Sequence, residues 1–359
     1  MTTIATTEYV LATDALAITV DAVADVGNAR TVVLVRKDAA DAPIVVALPS
    51  VRTLHGAFSY ELFAARGLPA ASWGRLGRDE HVIELGGVER FVGQLAVEHT
   101  GAASSGRGSD QRYVDGTTLD FVLAGVAAAL PGAARINVRL TTMLPISLWP
   151  MADRVAEALR GRYPIRYNGR DLVVTVATVA VKREAEAAFG GLDGDTSGPV
   201  VIVDAGGRTV NVALFNNGQY RSGRTLELGV QAAIDNLDRA LIGCGLRSLT
   251  LAERGELERS MIDGRRFTII SGGQATDITD LARVQLDQTA RALAQELHAC
   301  VPLGQARRVV FVGGGAHAPL FGATIRAAIP RCELGGLREL ANAYGAMSGA
   351  QPKKGKGRK

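Results

Sequence analysis

The chain is poor in the groups on which much protein chemistry relies. It has three cysteines in 359 residues, Cys244, Cys300 and Cys332. They are scattered and odd in number, which argues against a disulfide framework or a zinc cluster and for a reducing, cytoplasmic setting. The five histidines, His55, His81, His99, His298 and His317, show no metal-ligand spacing. No serine stands in a nucleophile elbow, and no Cys/His pair suggests covalent catalysis. There is no Walker A sequence, which excludes the usual P-loop reading. No apolar run approaches the roughly 18–20 residues that a membrane-spanning helix needs. The opening Met1-Thr2-Thr3-Ile4-Ala5-Thr6-Thr7-Glu8 has neither a basic n-region nor an apolar h-region, so it is not read as a secretory signal.

What is present is ordinary globular composition, 47% hydrophobic and 21% charged, in a chain long enough for two domains. The excess positive charge sits at one end. Residues 353–359 hold five of the Lys and Arg residues, and without them the formal net charge falls from +4 to −1. A Gly/Lys segment of this kind cannot bury enough to fold, so residues 351–359 are expected to form a disordered basic tail. The tail either attracts nucleic acid or an acidic membrane surface, or simply solubilises the chain.

Val- and Ile-rich runs predict strands at 17–23, 31–35, 44–48, 136–140, 172–176, 200–203, 210–215 and 309–312. Apolar spacing of three and four predicts helices at 119–130, 151–160, 230–241, 281–300 and 320–329. Alternating strands and helices argue for an α/β architecture. Two Asp-x-Gly turns, each between a pair of strands, lie 179 residues apart, half the chain: Asp25-Val26-Gly27-Asn28 and Asp204-Ala205-Gly206-Gly207. This points to a duplicated domain. Residues 190–199 read as the linker between the halves, and 99–116, rich in Gly, Ser and Arg, as a mobile loop. Trp73 and Trp149 are read as packing residues, and the apolar positions of 58–68 as a core helix or a surface contact.

The turns carry the chemistry. Glycine lets backbone N–H groups approach phosphate oxygens without a Cβ clash, which suits Gly27, Gly206 and Gly207. Asn28 and Thr209 can add side-chain donors. Asp25 and Asp204, at strand ends, are suited to hold Mg²⁺ through water, since that ion keeps most of its hydration shell. Gly313, Gly314 and Gly315 follow a buried strand and let the backbone pass close to a flat ligand such as adenine or ribose. Two such turns facing each other would clamp a metal-bound nucleotide between similar half-molecules.

On these residues the chain resembles the actin/Hsp70/sugar-kinase superfamily, and within it the bacterial and archaeal actin-like proteins that include the ParM family. Asp25-Val26-Gly27-Asn28 resembles the first phosphate loop, and Asp204-Ala205-Gly206-Gly207-Arg208-Thr209-Val210-Asn211 the second. Val312-Gly313-Gly314-Gly315-Ala316 resembles the adenosine motif. Leu340-Ala341-Asn342-Ala343-Tyr344-Gly345 resembles a stretch of the last connecting helix, and Leu144-Pro145-Ile146-Ser147 a segment that follows a core strand. The resemblance implies two ribonuclease-H-like domains with ATP and Mg²⁺ in the cleft between them. Domain I would be 1–190 joined by 336–350, and domain II 191–335. It implies an ATPase that self-associates into cytoplasmic filaments, with plasmid DNA segregation through a DNA-binding adaptor as one role.

Two departures matter. The family's first loop carries a Lys shortly after its turn; here that position holds Val32, with Arg30 as the substitute cation. The superfamily also places Gln or Glu at the start of the first interdomain helix to orient the attacking water. The segment here is Val181-Lys182-Arg183-Glu184-Ala185-Glu186, with Arg183 in the matching register and Glu184 one step away. Either Glu184 serves, or hydrolysis is slow, because a cation cannot accept a proton from water. On the residues alone this segment reads as a solvated first helical turn. Two rivals accompany the filament-forming ATPase: a non-hydrolysing scaffold similar to FtsA or PilM, and a small-molecule kinase of the same superfamily.

Overall fold

A computed structural model describes residues 16–53, 76–77, 79–98, 103–105, 109–250, 253–257, 265–329 and 331–348. His55, His99, Trp73, the segment 58–68 and the basic tail lie outside them.

The first half forms a ten-stranded sheet from β1 (Ile18–Val26), β2 (Arg30–Arg36), β3 (Ile44–Pro49), β4 (Val51–Thr53), β5 (Glu80–Leu85), β6 (Val88–Gly93), β7 (Ala103–Ser105), β8 (Arg135–Leu144), β9 (Gly161–Tyr167) and β10 (Arg170–Arg183). The second half supplies β11 (Pro199–Ala205), β12 (Val210–Asn216), β13 (Gln219–Leu226), the separate hairpin β14 (Thr268–Ser271) and β15 (Gln274–Asp277), then β16 (Arg308–Val312) and β17 (Cys332–Leu334). Every strand expected from the apolar runs matches one of these, the first starting one residue later than expected, and the expected helices appear as Thr117–Ala129, Ala152–Leu159, Val230–Gly243, Thr279–Cys300 and Phe321–Ala328.

The duplication is plain in the pairing. The first sheet contains the order β3-β2-β1-β8-β10, and the second sheet is β13-β12-β11-β16-β17. In each, the first three strands form an antiparallel meander, and two parallel strands then add beside its first strand. The two aspartates also occupy the same register. Asp25 pairs with Val32 one step before the last pair of its hairpin, and Asp204 pairs with Asn211 one step before the last pair of the other.

Each half has its own core. Helix Thr117–Ala129 is almost wholly buried against the first sheet, where Gly125 lies so close to Val33 that a Cβ would sit 2.5 Å from its methyl carbon. Helices Val230–Gly243 and Thr279–Cys300 cover the second sheet. The last helix, Ala341–Ser348, joins the two. Ala341 packs in a cluster with Val200, Ile202 and Val312 of the second sheet, while Ala343, Ala346 and Met347 pack on Val23, Val32 and Met143 of the first.

Two expectations are corrected. Residues 181–183 do not start a helix: β10 continues to Arg183, paired in parallel with Leu144, and helix is confined to Glu186–Phe189. The ladder hydrogen bonds of a neighbouring long strand override the local helical character of Lys, Arg and Glu. The segment 99–116, read as a mobile loop, contains β7 and a 3₁₀ turn, Asp110–Tyr113, whose Arg112 and Tyr113 are buried. Its polar composition hid a turn that is tied down by tertiary contacts.

The connection between the halves depends on small residues. A Cβ on Gly345 would collide with the Ala187 carbonyl oxygen, and one on Gly190 with the Gly345 carbonyl oxygen. Backbone cannot swing aside as a side chain can. Gly345→Val is therefore expected to lower stability by about 1–3 kcal/mol or more in urea unfolding. An unchanged midpoint would show that the two segments are not in this close contact.

Candidate functional site

A cavity of about 350 Å³ opens between the two sheets. Its walls hold Asp25, Gly27, Asn28 and Arg30 from the first hairpin; Asp204, Gly206, Gly207 and Thr209 from the second; and Glu184, Gly313, Gly314 and Gly315. All twelve residues singled out from the sequence are thus brought together. Arg112, Val230, Arg338, Glu339 and Asn342 also line the cavity.

The two turns are alike in detail. A Cβ on Gly27 would lie 2.8 Å from the Arg30 carbonyl oxygen, and one on Gly206 3.0 Å from the Thr209 carbonyl oxygen. Any other residue at either place would push the hairpin open. Gly313 has φ +87° and passes so close to the second hairpin that a Cβ would meet the Ala205 carbonyl oxygen and Asp204 Oδ1 at 2.5 Å. The glycine triplet is thereby pressed against the carboxylate end of its own sheet.

Glu184 enters the cleft because it directly follows the last residue of β10, its N–H still bonded to the Leu144 carbonyl at 2.8 Å. Successive strand residues point to opposite sides, so Arg183 turns away when Glu184 turns in. The Arg183 guanidinium stacks over Trp149 at 3.8 Å and Tyr220 at 4.9 Å, and pairs with Glu186 at 2.8 Å. Trp149 thus packs as expected. Glu184 is buried and accepts a hydrogen bond from Asn211 Nδ2 at 2.5 Å. Asn211 Oδ1 in turn accepts from the Ile146 backbone N–H at 3.1 Å and from Thr225 Oγ1 at 2.7 Å. The carboxyl is therefore positioned by both halves of the molecule. The next residue, Ala185, is held at φ +62°, a conformation unusual for alanine, which redirects the chain out of the cleft.

Asn342 ties the carboxylates together. Its Nδ2 donates to Asp204 Oδ2 at 2.8 Å, and its Oδ1 accepts from the Ala185 N–H at 3.0 Å. The motif 340–345 had marked this stretch without singling out the residue. Arg112 was missed altogether: it lies in a segment with no periodicity, and only the fold carries it to the cleft. Arg30, the expected substitute cation, is more than half exposed and pairs with Glu339 at 3.2 Å.

Three carboxyls in one cleft disturb one another. Burial, then Asp204, pushes Asp25 up to about 7, with the Asn342 side chain and Arg112 opposing. Burial pushes Asp204 up to about 6. Glu184 is raised by burial and then by Asp25 and Asp204. A cation would relieve all three. Among the described residues no three Asp, Glu, His or Cys side chains converge tightly enough to ligate an ion directly. An ion here would meet these oxygens largely through its own waters, which suits a small hard cation.

The remaining histidines are accounted for structurally. His81 bonds Tyr167 Oη at 2.7 Å, His298 the Ala328 carbonyl at 2.8 Å and His317 the Gly335 carbonyl at 3.1 Å. Among the described residues no helix is long and apolar enough to cross a membrane.

This geometry can be set beside known proteins. Residues 23–186 match the family model described as the actin like proteins N terminal domain. No curated protein matches the chain. Among solved structures, the archaeal actin homolog Ta0583 overlays with a TM-score of 0.71 at 16% identity, covering 92% of this chain and 99% of that one. A ParM from Clostridium botulinum, solved as a 15-stranded filament, gives 0.72 at 14% identity, covering 92% and 98%. A Bacillus thuringiensis ParM with ATP gives 0.63 at 16% identity, covering 92% and 97%. The two repeated sheets around a carboxylate-lined cleft are thus the actin-like fold. Within that fold, residues 23–186 are similar to the N-terminal domain of the actin-like proteins, and 92% of the chain overlays ParM structures.

The raised Asp204 has a measurable consequence in the absence of divalent cation. Its folded value of about 6 exceeds the unfolded value near 3.9, so its contribution is fully favourable below about pH 4 and is lost as pH rises through 6. Asp204→Asn removes that penalty. The variant is expected to be more stable than the parent by on the order of 1–3 kcal/mol at pH 7.5, the gain shrinking towards pH 4. Chemical denaturation at the two pH values checks it, and a pH-independent difference would count against a strained carboxylate.

Proposed function

We propose that the chain is an actin-like ATPase that binds Mg²⁺-ATP in the cleft and assembles into filaments. The observation that carries this reading is the pair of register-matched Asp-Gly hairpins facing each other across the cavity, with Glu184 between them. The solved ParM with ATP and the solved ParM filament support it by analogy of fold. Phosphoryl transfer needs positioning and charge stabilisation more than covalent chemistry, and the residues present fit that need.

In this reading Gly27, Asn28, Gly206, Gly207 and Thr209 bind the β- and γ-phosphates, and Gly313–Gly315 border the nucleoside. Mg²⁺, when bound near Asp25 and Asp204 through its waters, supplies charge neutralisation for the phosphates. Asn342 holds Asp204 in place, and Asn211 holds Glu184. Glu184 accepts a hydrogen bond from a water and orients it in line with the γ-phosphorus. The water oxygen bonds to phosphorus, the bond from phosphorus to the ADP oxygen breaks with its electron pair leaving on ADP, and the water's proton passes to Glu184 and on to solvent. Hydrolysis would then govern filament disassembly. Placement of Glu184 in the cleft, with Arg183 stacked away, favours hydrolysis over the non-hydrolysing scaffold. Plasmid segregation through a DNA-binding adaptor, contact of the basic tail with nucleic acid, cytoplasmic location and a division into 1–190 with 336–350 and 191–335 complete the proposal.

Light scattering and phosphate release, followed together on adding Mg²⁺-ATP, test it. A scattering rise that decays as phosphate appears is the expected result. A stable rise without phosphate would favour the scaffold, and phosphorylation of a small-molecule panel without scattering would favour the kinase. Glu184→Gln is expected to keep nucleotide affinity within about threefold while slowing phosphate release by about 10²–10⁴-fold. Equal loss in both would sink the water-orienting role.

A further inference from the structure

Arg112 is a buried guanidinium in the wall of the cleft. It sits in the 3₁₀ turn Asp110–Tyr113, which Ser109 caps by accepting from the Gln111 N–H at 3.2 Å. Its Nη1 donates to Asn28 Oδ1 at 2.8 Å and to the Gly27 carbonyl at 3.4 Å, and its Nη2 to Tyr113 Oη at 2.6 Å. The guanidinium also stacks on the Tyr113 ring, 4.6 Å from its centroid. The head group is thereby fixed against the first hairpin. Removing an arginine from water carries a penalty of several kcal/mol unless anions offset it. The carboxyls that feel this cation are Asp25 and Glu184.

We propose that Arg112 is the specificity residue that reads the terminal phosphate of a nucleoside triphosphate. This rests on the reading of the cleft as a nucleotide site, and adds to it the group that tells triphosphate from diphosphate. The nucleoside end is marked by Gly313–Gly315. Arg112 stands on the side of Asp25 and Glu184, so the phosphate farthest from the nucleoside comes nearest to it. A guanidinium cannot lose its charge and presents a planar fork to phosphate oxygens. Arg30 is unsuited to the task because it is half in solvent and paired with Glu339. The turn that bears Arg112 also reaches the opposite half, where Asp110 accepts from Arg208 Nη1 at 3.3 Å, so a phosphate held by Arg112 lies between groups of both hairpins.

The test is equilibrium binding of Mg²⁺-ADP and of the Mg²⁺ complex of a non-hydrolysable ATP analogue to the full chain. Wild type, Arg112→Gln and Arg112→Lys are compared, with thermal melts alongside. Arg112→Gln is expected to lose about tenfold or more in affinity for the triphosphate analogue and less than about threefold for ADP, with Arg112→Lys in between. Equal loss for both ligands, or loss for neither, would overturn the assignment. If Arg112→Gln does not fold, Arg112→Lys decides on the same selective-loss criterion. Failure of wild type to bind either nucleotide would instead defeat the nucleotide reading of the cleft itself.

Discussion

The amide of Asn342 is the contact on which the cleft depends. Asp25, Asp204 and Glu184 come from three separate stretches of chain and repel one another where water is scarce. One side chain from the last helix bonds Asp204 and the N–H that follows Glu184, and offsets part of the rise at Asp25. That arrangement forces the last helix back between the two sheets, against Val23 on one side and Ile202 on the other. It also explains why glycine and alanine crowd the neighbouring backbone, since Gly345 must approach Ala187 and Gly190 for the amide to reach.

The cleft is an outcome of repetition. Each half builds the same five-strand pattern, and each carries an aspartate one step before the end of its first strand, at the same register step. What differs is the side chain opposite. Val32 faces Asp25, whereas Asn211 faces Asp204 and carries the hydrogen-bond relay from Ile146 and Thr225 to Glu184. The first hairpin, lacking such a partner, is served instead by Arg112 from outside its own sheet. Two hairpins of common design thus have different chemical surroundings.

The junction behind the cleft is built from aromatic and cationic stacking. Arg183 lies between Trp149 of the first half and Tyr220 of the second, and Phe189 stacks on Phe215 at 4.0 Å between ring centroids. Arg183 is the chain neighbour of Glu184, so the stack on Trp149 and Tyr220 anchors the backbone that leads into the cleft.

Sequence alone determined eight of the strands, the long helices, the half-chain repeat and eleven of the residues that line the cleft, because each is written in local terms. Apolar periodicity marks a strand or helix, and an Asp-Gly turn or a glycine triplet marks a close backbone approach. Tertiary structure decided the rest. Whether Arg183 or Glu184 faces the cleft turned on β10 continuing as a strand, which depends on pairing with β8 at Leu144, far off in the chain. Arg112 and Asn342 became site residues only through folding, because a polar residue carries no sign of which buried charge it will meet. Such meetings are set by the packing of two sheets and one returning helix, and no window along the sequence spans them.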